Sequence, residues 1–309
     1  MLDYSALSAL AAVVREGSFE RAARALNVTP SAISQRIRLL EERVGCALVV
    51  REQPCRATEA GRRLCRHVDR VRLMEQELED AVPALAAGGS ARVPLPIAVN
   101  ADSLATWFAP AIAGYAANAP VLMEIAVDDQ EHTSEWLRSG SVLAAVTAAE
   151  RPVAGCNSRP LGSMRYVAAA SPAFVSRYFP DQINAGTLGL APSLVFNAKD
   201  ELQARWAQLL CHRHVALPRH VLPSAHAFVV ATLAGMGWGL HPEALIASHL
   251  KDGSLVEMVP GTPLDLPLHW QEARAASVLL DGLTRELVAA ARKALIPQAA
   301  AAGRGPIPS

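Results

Sequence analysis

Apolar positions in the first third of the chain repeat with a helical period, whereas those beyond residue 90 fall in short runs separated by helical stretches. Leu7, Leu10, Ala11 and Val14 stand at i, i+3, i+4 and i+7, one face of a helix that Gly17 ends. Ser18 is placed to cap a second helix with Phe19, Ala22, Ala23 and Leu26 facing inward, and the small alanine pair lets another helix approach closely. After the short Asn27-Val28 connection, Thr29-Pro30 reads as an N-cap followed by proline at the first helical position. The third helix runs from about Pro30 to Val44 and stops at Gly45, with Ile33, Ile37 and Leu40 on one side and Ser31, Ser34, Gln35 and Arg38 on the other. Leu48-Val49-Val50, Arg51, a Pro54 turn and Arg56-Ala57-Thr58 suit a small β-wing. A long helix follows to about Ala87. Its Leu64, Val68, Val71, Leu78, Val82 and Leu85 alternate by fours and threes, with Glu75 at the odd position, a heptad seam that predicts a coiled-coil-like dimer contact. Gly88-Gly89-Ser90 supplies a hinge.

Past the hinge, strands and helices alternate. Leu95, Ile97 and Val99 lead into Asn100–Ser103 and a helix with Leu104, Phe108, Ile112 and Tyr115; because proline is poorly tolerated in a central strand, Pro94 and Pro96 place the start of that strand at about Ile97. Strands follow at 122–127 and 143–147, separated by the polar loop 128–132 and a short helix at Trp136-Leu137. A second set has strands at 166–170, 194–196, 221–222 and 238–240, and helices near Phe174, at 201–210 and at 226–234; a last helix runs from about 278 to 295, before Pro297 and an Ala/Gly/Pro tail expected to be disordered. Two such sets predict two α/β lobes with mainly parallel sheets and a ligand cleft beyond the strand ends.

Charge changes the picture once it is taken by segment. The 309 residues carry 29 basic and 29 acidic side chains, net +0, which by itself argues against a nucleic-acid partner. Between Arg15 and Arg66, however, eleven arginines face six glutamates, an excess of +5, and residues 69–80 reverse it with five acids against Arg70 and Arg72. A basic N-terminal module is the footprint of a DNA reader. The polar face of the third helix fits: Gln pairs with adenine, Arg with guanine, Ser with bases or phosphates, and two helices joined by a tight turn make a helix-turn-helix. Hydrophobic residues at 51% rule out global disorder, no apolar run approaches a bilayer span, and MLDYSALSAL lacks a signal peptide's basic start, so a cytoplasmic protein without membrane association is expected. The five cysteines form no C-x-x-C pair and read as reduced, mostly buried thiols.

The run GSFERAARALNVTPSAISQRIRLLEERVGCALVVR with RATEAGRRL resembles the LysR-type transcriptional regulators over residues 2 to about 66. The resemblance implies a winged helix-turn-helix, a linker helix, a homodimer or tetramer, and a two-lobed effector domain of the periplasmic-binding-protein type (type 2). It divides the chain into a DNA-binding domain at 1–58, a linker and hinge at 59–90, and an effector domain at 91–298, with lobe I at about 91–162 and 268–298 and lobe II at about 163–267. VNADSLATWFAPA, DQEH, AAVT, LGSMRYVA, APSLVFNAKD, GMGWGLHPE and PLHWQ are similar to the lysine- and arginine-responsive ArgP/LysG branch. That likeness implies a regulator of amino-acid transport or biosynthesis genes that senses a basic amino acid, binds a pseudo-palindromic operator in double-stranded DNA, and has RNA polymerase as an open further partner. DNA contacts are expected from Ser18, Thr29, Pro30, Ser31, Ser34, Gln35, Arg36, Arg38, Arg51, Arg56 and Thr58.

A basic amino acid needs donors for its carboxylate and acceptors for its cationic ends. The helix opening at Ser103 offers backbone N–H groups and a hydroxyl. Asp102, Asp128, Asp129 and Glu131 bring negative charge and Gln130 a carbonyl oxygen, Thr147, Asn197, Ser224 and His226 bring polar groups from other loops, and Trp107 and Trp238 flank the cleft. No metal or cofactor is expected: Cys211–His214 has no second ligand pair at zinc spacing, and Gly235-x-Gly237-x-Gly239 lacks the dinucleotide order. With no nucleophile–base pair visible an enzyme is the weaker reading. The helix-turn-helix argues against a solute-binding protein, and a regulator of this family answering to another metabolite is the runner-up.

Overall fold

The computed structural model describes residues 3–81, 93–119, 121–128 and 133–297, in two compact units dividing at Ala91/Arg92. In the first unit, local capping fixes three helices. Asp3 accepts from the amides of Ser5 and Ala6 at the start of α1 (Tyr4–Glu16), which ends on Gly17 in the left-handed conformation, φ 64°. Ser18 caps α2 (Phe19–Ala25), and Thr29 caps α3 (Pro30–Val44). The short strands β1 (Val49–Val50) and β2 (Arg56–Ala57) pair antiparallel as the wing. Thr58 then donates to the Ala47 carbonyl and accepts from the Gly61 amide, opening α4 (Glu59–Ala81). Leu7, Leu10, Ile33, Ile37 and Leu48 are fully buried together.

The expected heptad seam divides here. Val68 is buried in the core of the head and Leu64 packs against it, so the seam's first two positions serve the folding of one chain rather than a dimer contact. Farther along α4, Met74 and Leu78 are exposed. Val82, Leu85 and the hinge 88–90 lie outside the described residues. The cysteines also differ from expectation: of five free thiols only Cys156 is buried, while Cys46 is exposed and Cys55, Cys65 and Cys211 are half-exposed.

The second unit is built on a seven-stranded mixed sheet. Its strands are β3 (Val93–Asn100), β4 (Val121–Asp128), β5 (Ala144–Thr147), β6 (Cys156–Ala170), β9 (Gly239–Pro242), β10 (Val256–Glu257) and β11 (Leu264–Ala273), in the order β10-β6-β11-β5-β3-β4 with β9 also on β6. A separate parallel pair joins β7 (Ser193–Val195) and β8 (Arg219–Val221). The helical stretch 101–116 comprises α5 (Ala101–Ser103), a π-helical turn (Leu104–Phe108) and α6 (Ala109–Ala116). Then come α7 (Thr133–Arg138), α8 (Pro172–Tyr178), α9 (Ala185–Leu188), α10 (Leu202–Cys211), α11 (Ala225–Leu233), α12 (Glu243–Asp252) and α13 (Ser277–Ala294).

Two corrections follow. The sheet is not mainly parallel, because the long strands β6 and β11 run antiparallel to each other through its middle, and β5, β9 and β10 pair antiparallel to them. In addition, β3 begins at Val93, four residues before the expected start at Ile97. It pairs with β4 throughout but with β5 only at Ile97 and Ala98. The Pro96 carbonyl accepts from Leu143 on the β5 side, so the donor that Pro96 lacks also faces that side, just before the β5 ladder starts. The first half of β6 was not legible because Pro160 and Gly162 interrupt any strand pattern; they lie opposite a register shift at Leu268/His269. Gly162 has φ 128°, and a Cβ there would stand 2.8 Å from the Ile296 carbonyl oxygen.

Candidate nucleic-acid interface and ligand site

On α3 the buried residues Ile33, Ile37 and Leu40 point into the head and leave a polar face outward. Ser31, Gln35 and Arg38 are exposed, and Ser34 and Arg36 are half-buried. The Thr29 and Ser31 hydroxyls lie 3.0 Å apart at the helix start, Pro30 occupies the first turn, and no acid is found there, so the positive end of the helix is unopposed. Arg38 donates to Glu42 at 2.9 Å, an exposed i,i+4 pair. Such a pair contributes little in water and yields readily to a better acceptor. Arg51 stacks over the Phe19 ring at 5.4 Å and lies 3.9 Å from Glu41. Glu41 in turn accepts from the Leu48 and Val49 amides, fixing the wing to α3. Arg56 stands exposed on the wing. Ser18 and Thr58 are engaged as helix caps through their hydroxyls.

The second unit holds a narrow cavity where the start of α5 meets the 196–203 segment and β9; Asp102, Asp200, Gln203, Phe228 and His241 line it, and neither Lys nor Arg does. Tyr166, fully buried on β6, donates its hydroxyl to Asp102 at 2.8 Å. Burial pushes the Asp102 carboxyl up to about 6, the Tyr166 hydrogen bond draws it down, and the Asp200 charge raises it further. The same surroundings hold the Tyr166 phenol well above its ordinary value, burial first and the Asp102 charge second. Asp200 accepts from the Phe196 and Leu202 amides. Burial depresses His241 to about 4, leaving it neutral at pH 7, with Nε2 3.0 Å from the Thr232 hydroxyl. The cavity lining therefore includes two carboxylates and a neutral histidine. Its free space is about 30 Å³, room for about one water, so admitting an amino acid requires its walls to move apart.

Of the residues expected at this site, Asp102 lines the cavity and Ser103 stands beside it, fully buried with its hydroxyl unpartnered. Thr147 is buried at the end of β5 and accepts from the Ala149 amide. Asn197 accepts from the Lys199 amide, next to Phe196 of the lining. Ser224 caps α11, and His226 is exposed on that helix. Asp128 ends β4 and accepts from the Trp136 indole; Asp129, Gln130 and Glu131 lie outside the described residues. Neither tryptophan is brought to this cavity. Trp238 is buried 5.3 Å from Trp206, and Trp107 lines a different cavity. Sequence reasoning missed Asp200, Tyr166, Gln203, His241 and Asn100, whose amide atoms are buried without partners. Only Asn100, the polar residue that ends β3, had a usable local signal.

Among the described residues no group of three His, Cys, Asp or Glu could hold a metal ion, and no helix is long and apolar enough to cross a membrane. Residues 4–62 match the bacterial regulatory helix-turn-helix protein, lysR family, and residues 88–295 match the LysR substrate binding domain. The HTH-type transcriptional regulator ArgP of Pseudomonas fluorescens (strain Pf0-1) is 46% identical over 297 residues, 96% of this chain and 99% of that protein. The regulator LysG of Mycobacterium tuberculosis (strain ATCC 25618 / H37Rv) is 45% identical over 294 residues, 94% of each. Among solved structures, ArgP from Mycobacterium tuberculosis has a TM-score of 0.80 at 43% identity, covering 96% of this chain and all of that one. Full-length LysG from Corynebacterium glutamicum with bound effector Arg has a TM-score of 0.68 at 37% identity, with the same coverage.

Proposed function

The chain belongs to the LysR family of bacterial helix-turn-helix regulators, and we propose that it is a DNA-binding transcriptional regulator controlled by a basic amino acid, arginine or lysine. The observation that carries the effector reading is the pair of carboxylates, Asp102 and Asp200, lining one cavity beside a histidine that burial keeps neutral. A guanidinium or ammonium group answers that arrangement, since an opposite charge favours the ionised carboxylate. The unpartnered Asn100 and Ser103 side chains at the start of the 101–116 helical stretch supply donors for the amino acid's carboxylate. The arginine bound to the related LysG points the same way.

In the head, Ser31, Ser34, Gln35 and Arg38 read base edges in the major groove, while Arg51, Arg56 and the start of α3 hold phosphates. A homodimer places two such heads on a pseudo-palindromic site. Closing the cavity walls on the ligand shifts the balance of domain arrangements only through unequal affinity for them. Calorimetric titration of Asp200→Asn with arginine tests the effector site. A loss of tenfold or more in affinity, with circular dichroism unchanged, supports it; wild-type affinity removes Asp200 from it.

A further inference from the structure

Tyr166 stands behind the cavity at Asp102 without being part of its lining. It lies on β6 between Pro242 of β9 and Leu264 of β11, fully buried in the sheet. A phenol buried that deeply needs a partner for its O–H. The partner is the Asp102 carboxylate, whose Oδ2 accepts from the hydroxyl at 2.8 Å. The Thr106 hydroxyl donates to the backbone carbonyl of the same aspartate at 2.7 Å. Asp102 is thus fixed at its backbone and at one carboxylate oxygen, and Oδ1 is left for a partner in the cavity that the residue lines.

The titratable groups around this carboxylate come from three segments. β6 brings Tyr166 and, next to it, Arg165, whose guanidinium is committed to Asp265 through two 2.8 Å bonds. The 196–203 segment brings Asp200, a second negative charge, and β9 brings His241, neutral at pH 7. Among these, Tyr166 is the group that favours the ionised form of Asp102 against burial and the Asp200 charge. It does so without a charge of its own. An arginine or lysine in its place would also favour the carboxylate, but it would repel an incoming cation. Burial and the Asp102 charge hold the phenol well above its ordinary value, so it keeps its proton and remains a donor at physiological pH.

We propose, on the reading that the effector is a basic amino acid, that Tyr166 is a positioning residue of the effector site: it fixes the Asp102 carboxylate by one oxygen so that the other meets the ligand's cationic group.

Tyr166→Phe removes the hydroxyl and keeps the ring. Full-length wild type and variant are titrated with arginine by calorimetry at pH 6 and pH 8, and melted without ligand at pH 4.5 and pH 8. The variant should bind arginine more weakly, with a loss about threefold or more greater at pH 6, where it ionises Asp102 less than the wild type does. Without ligand, the substitution should lower the unfolding temperature more at pH 8 than at pH 4.5, because a phenol bonds an ionised carboxylate more strongly than a protonated one. In an Asp102→Asn background that difference between pH values should disappear. Fluorotyrosine at position 166, a more acidic phenol of nearly the same size, keeps the test open if Tyr166→Phe folds poorly by circular dichroism. It should move the arginine profile the other way, bringing affinity at pH 6 closer to that at pH 8. A wild type that binds arginine, with both replacements leaving its pH profile unchanged, overturns the positioning role and leaves the effector reading standing. A wild type that binds no arginine at either pH overturns both.

Discussion

The Asp102 carboxyl meets the Tyr166 hydroxyl and the Asp200 charge, and its burial pushes its pKa from an ordinary 3.8 up to about 6, within reach of the physiological range. The folded protein holds that proton more tightly than the unfolded chain does. The stability Asp102 contributes is therefore fully present below about pH 4 and is lost as pH rises through about 6. Asp102→Asn should stabilise the free protein at pH 7.5, by on the order of 2 kcal/mol, and so raise its unfolding temperature. That gain should vanish near pH 3.5, as followed by thermal melts across the range. Ligand binding runs the other way, because a cation needs the ionised carboxylate: wild-type affinity for arginine should fall about tenfold from pH 7 to pH 5. In the head, Arg38→Ala should relax sequence preference by about 1–3 kcal/mol at one base position. Arg56→Ala should instead weaken binding to all sequences alike and reduce the salt slope by about one unit. Fluorescence anisotropy against matched and scrambled operators at several salt concentrations distinguishes them.

Among the elements, helices and short strands were readable from their local pattern, but which strands pair over long distances was not. The caps at Ser18, Thr29 and Gly45 lie within a turn of the helices they bound, so α2 and α3 follow from a short stretch of sequence. The pairing of β6 with β11 joins residues a hundred positions apart, as at Arg165 and Asp265. Pro160 and Gly162 mask the first half of β6, and its partner β11 was not read as a strand, so the antiparallel pairing was missed and mainly parallel sheets were expected. The linker helix shows the same limit. Spacing identified a seam along α4, but a period does not say which partner covers it; Leu64 and Val68 turn out to pack within their own head. The exposed Met74 and Leu78 remain available for the proposed dimer contact. Replacing both with Asp should shift the sedimenting species from dimer toward monomer without unfolding the head, whose core they do not enter. A dimer unaffected by the pair would place the interface elsewhere.

Taken whole, the molecule has its net positive excess in the arginine-rich head, +5 between Arg15 and Arg66 in a chain of net +0, and sets carboxylates in a cavity of the other unit. The first of these was legible because the head is one continuous segment. The second was legible only in part: Asp102 opens a helix directly after a strand, but Asp200 and His241 reach the same cavity from segments about 100 and 140 positions away. On the proposed function, charge directs what each unit binds, an anion in one and a cation in the other. The measurement that tests this most directly is calorimetric titration of the full-length protein with arginine, lysine and citrulline, the last matching arginine in shape but lacking its side-chain charge. The account predicts saturable binding of arginine or lysine and binding of citrulline at least tenfold weaker. Equal binding of citrulline, or no binding of either basic amino acid, would contradict it.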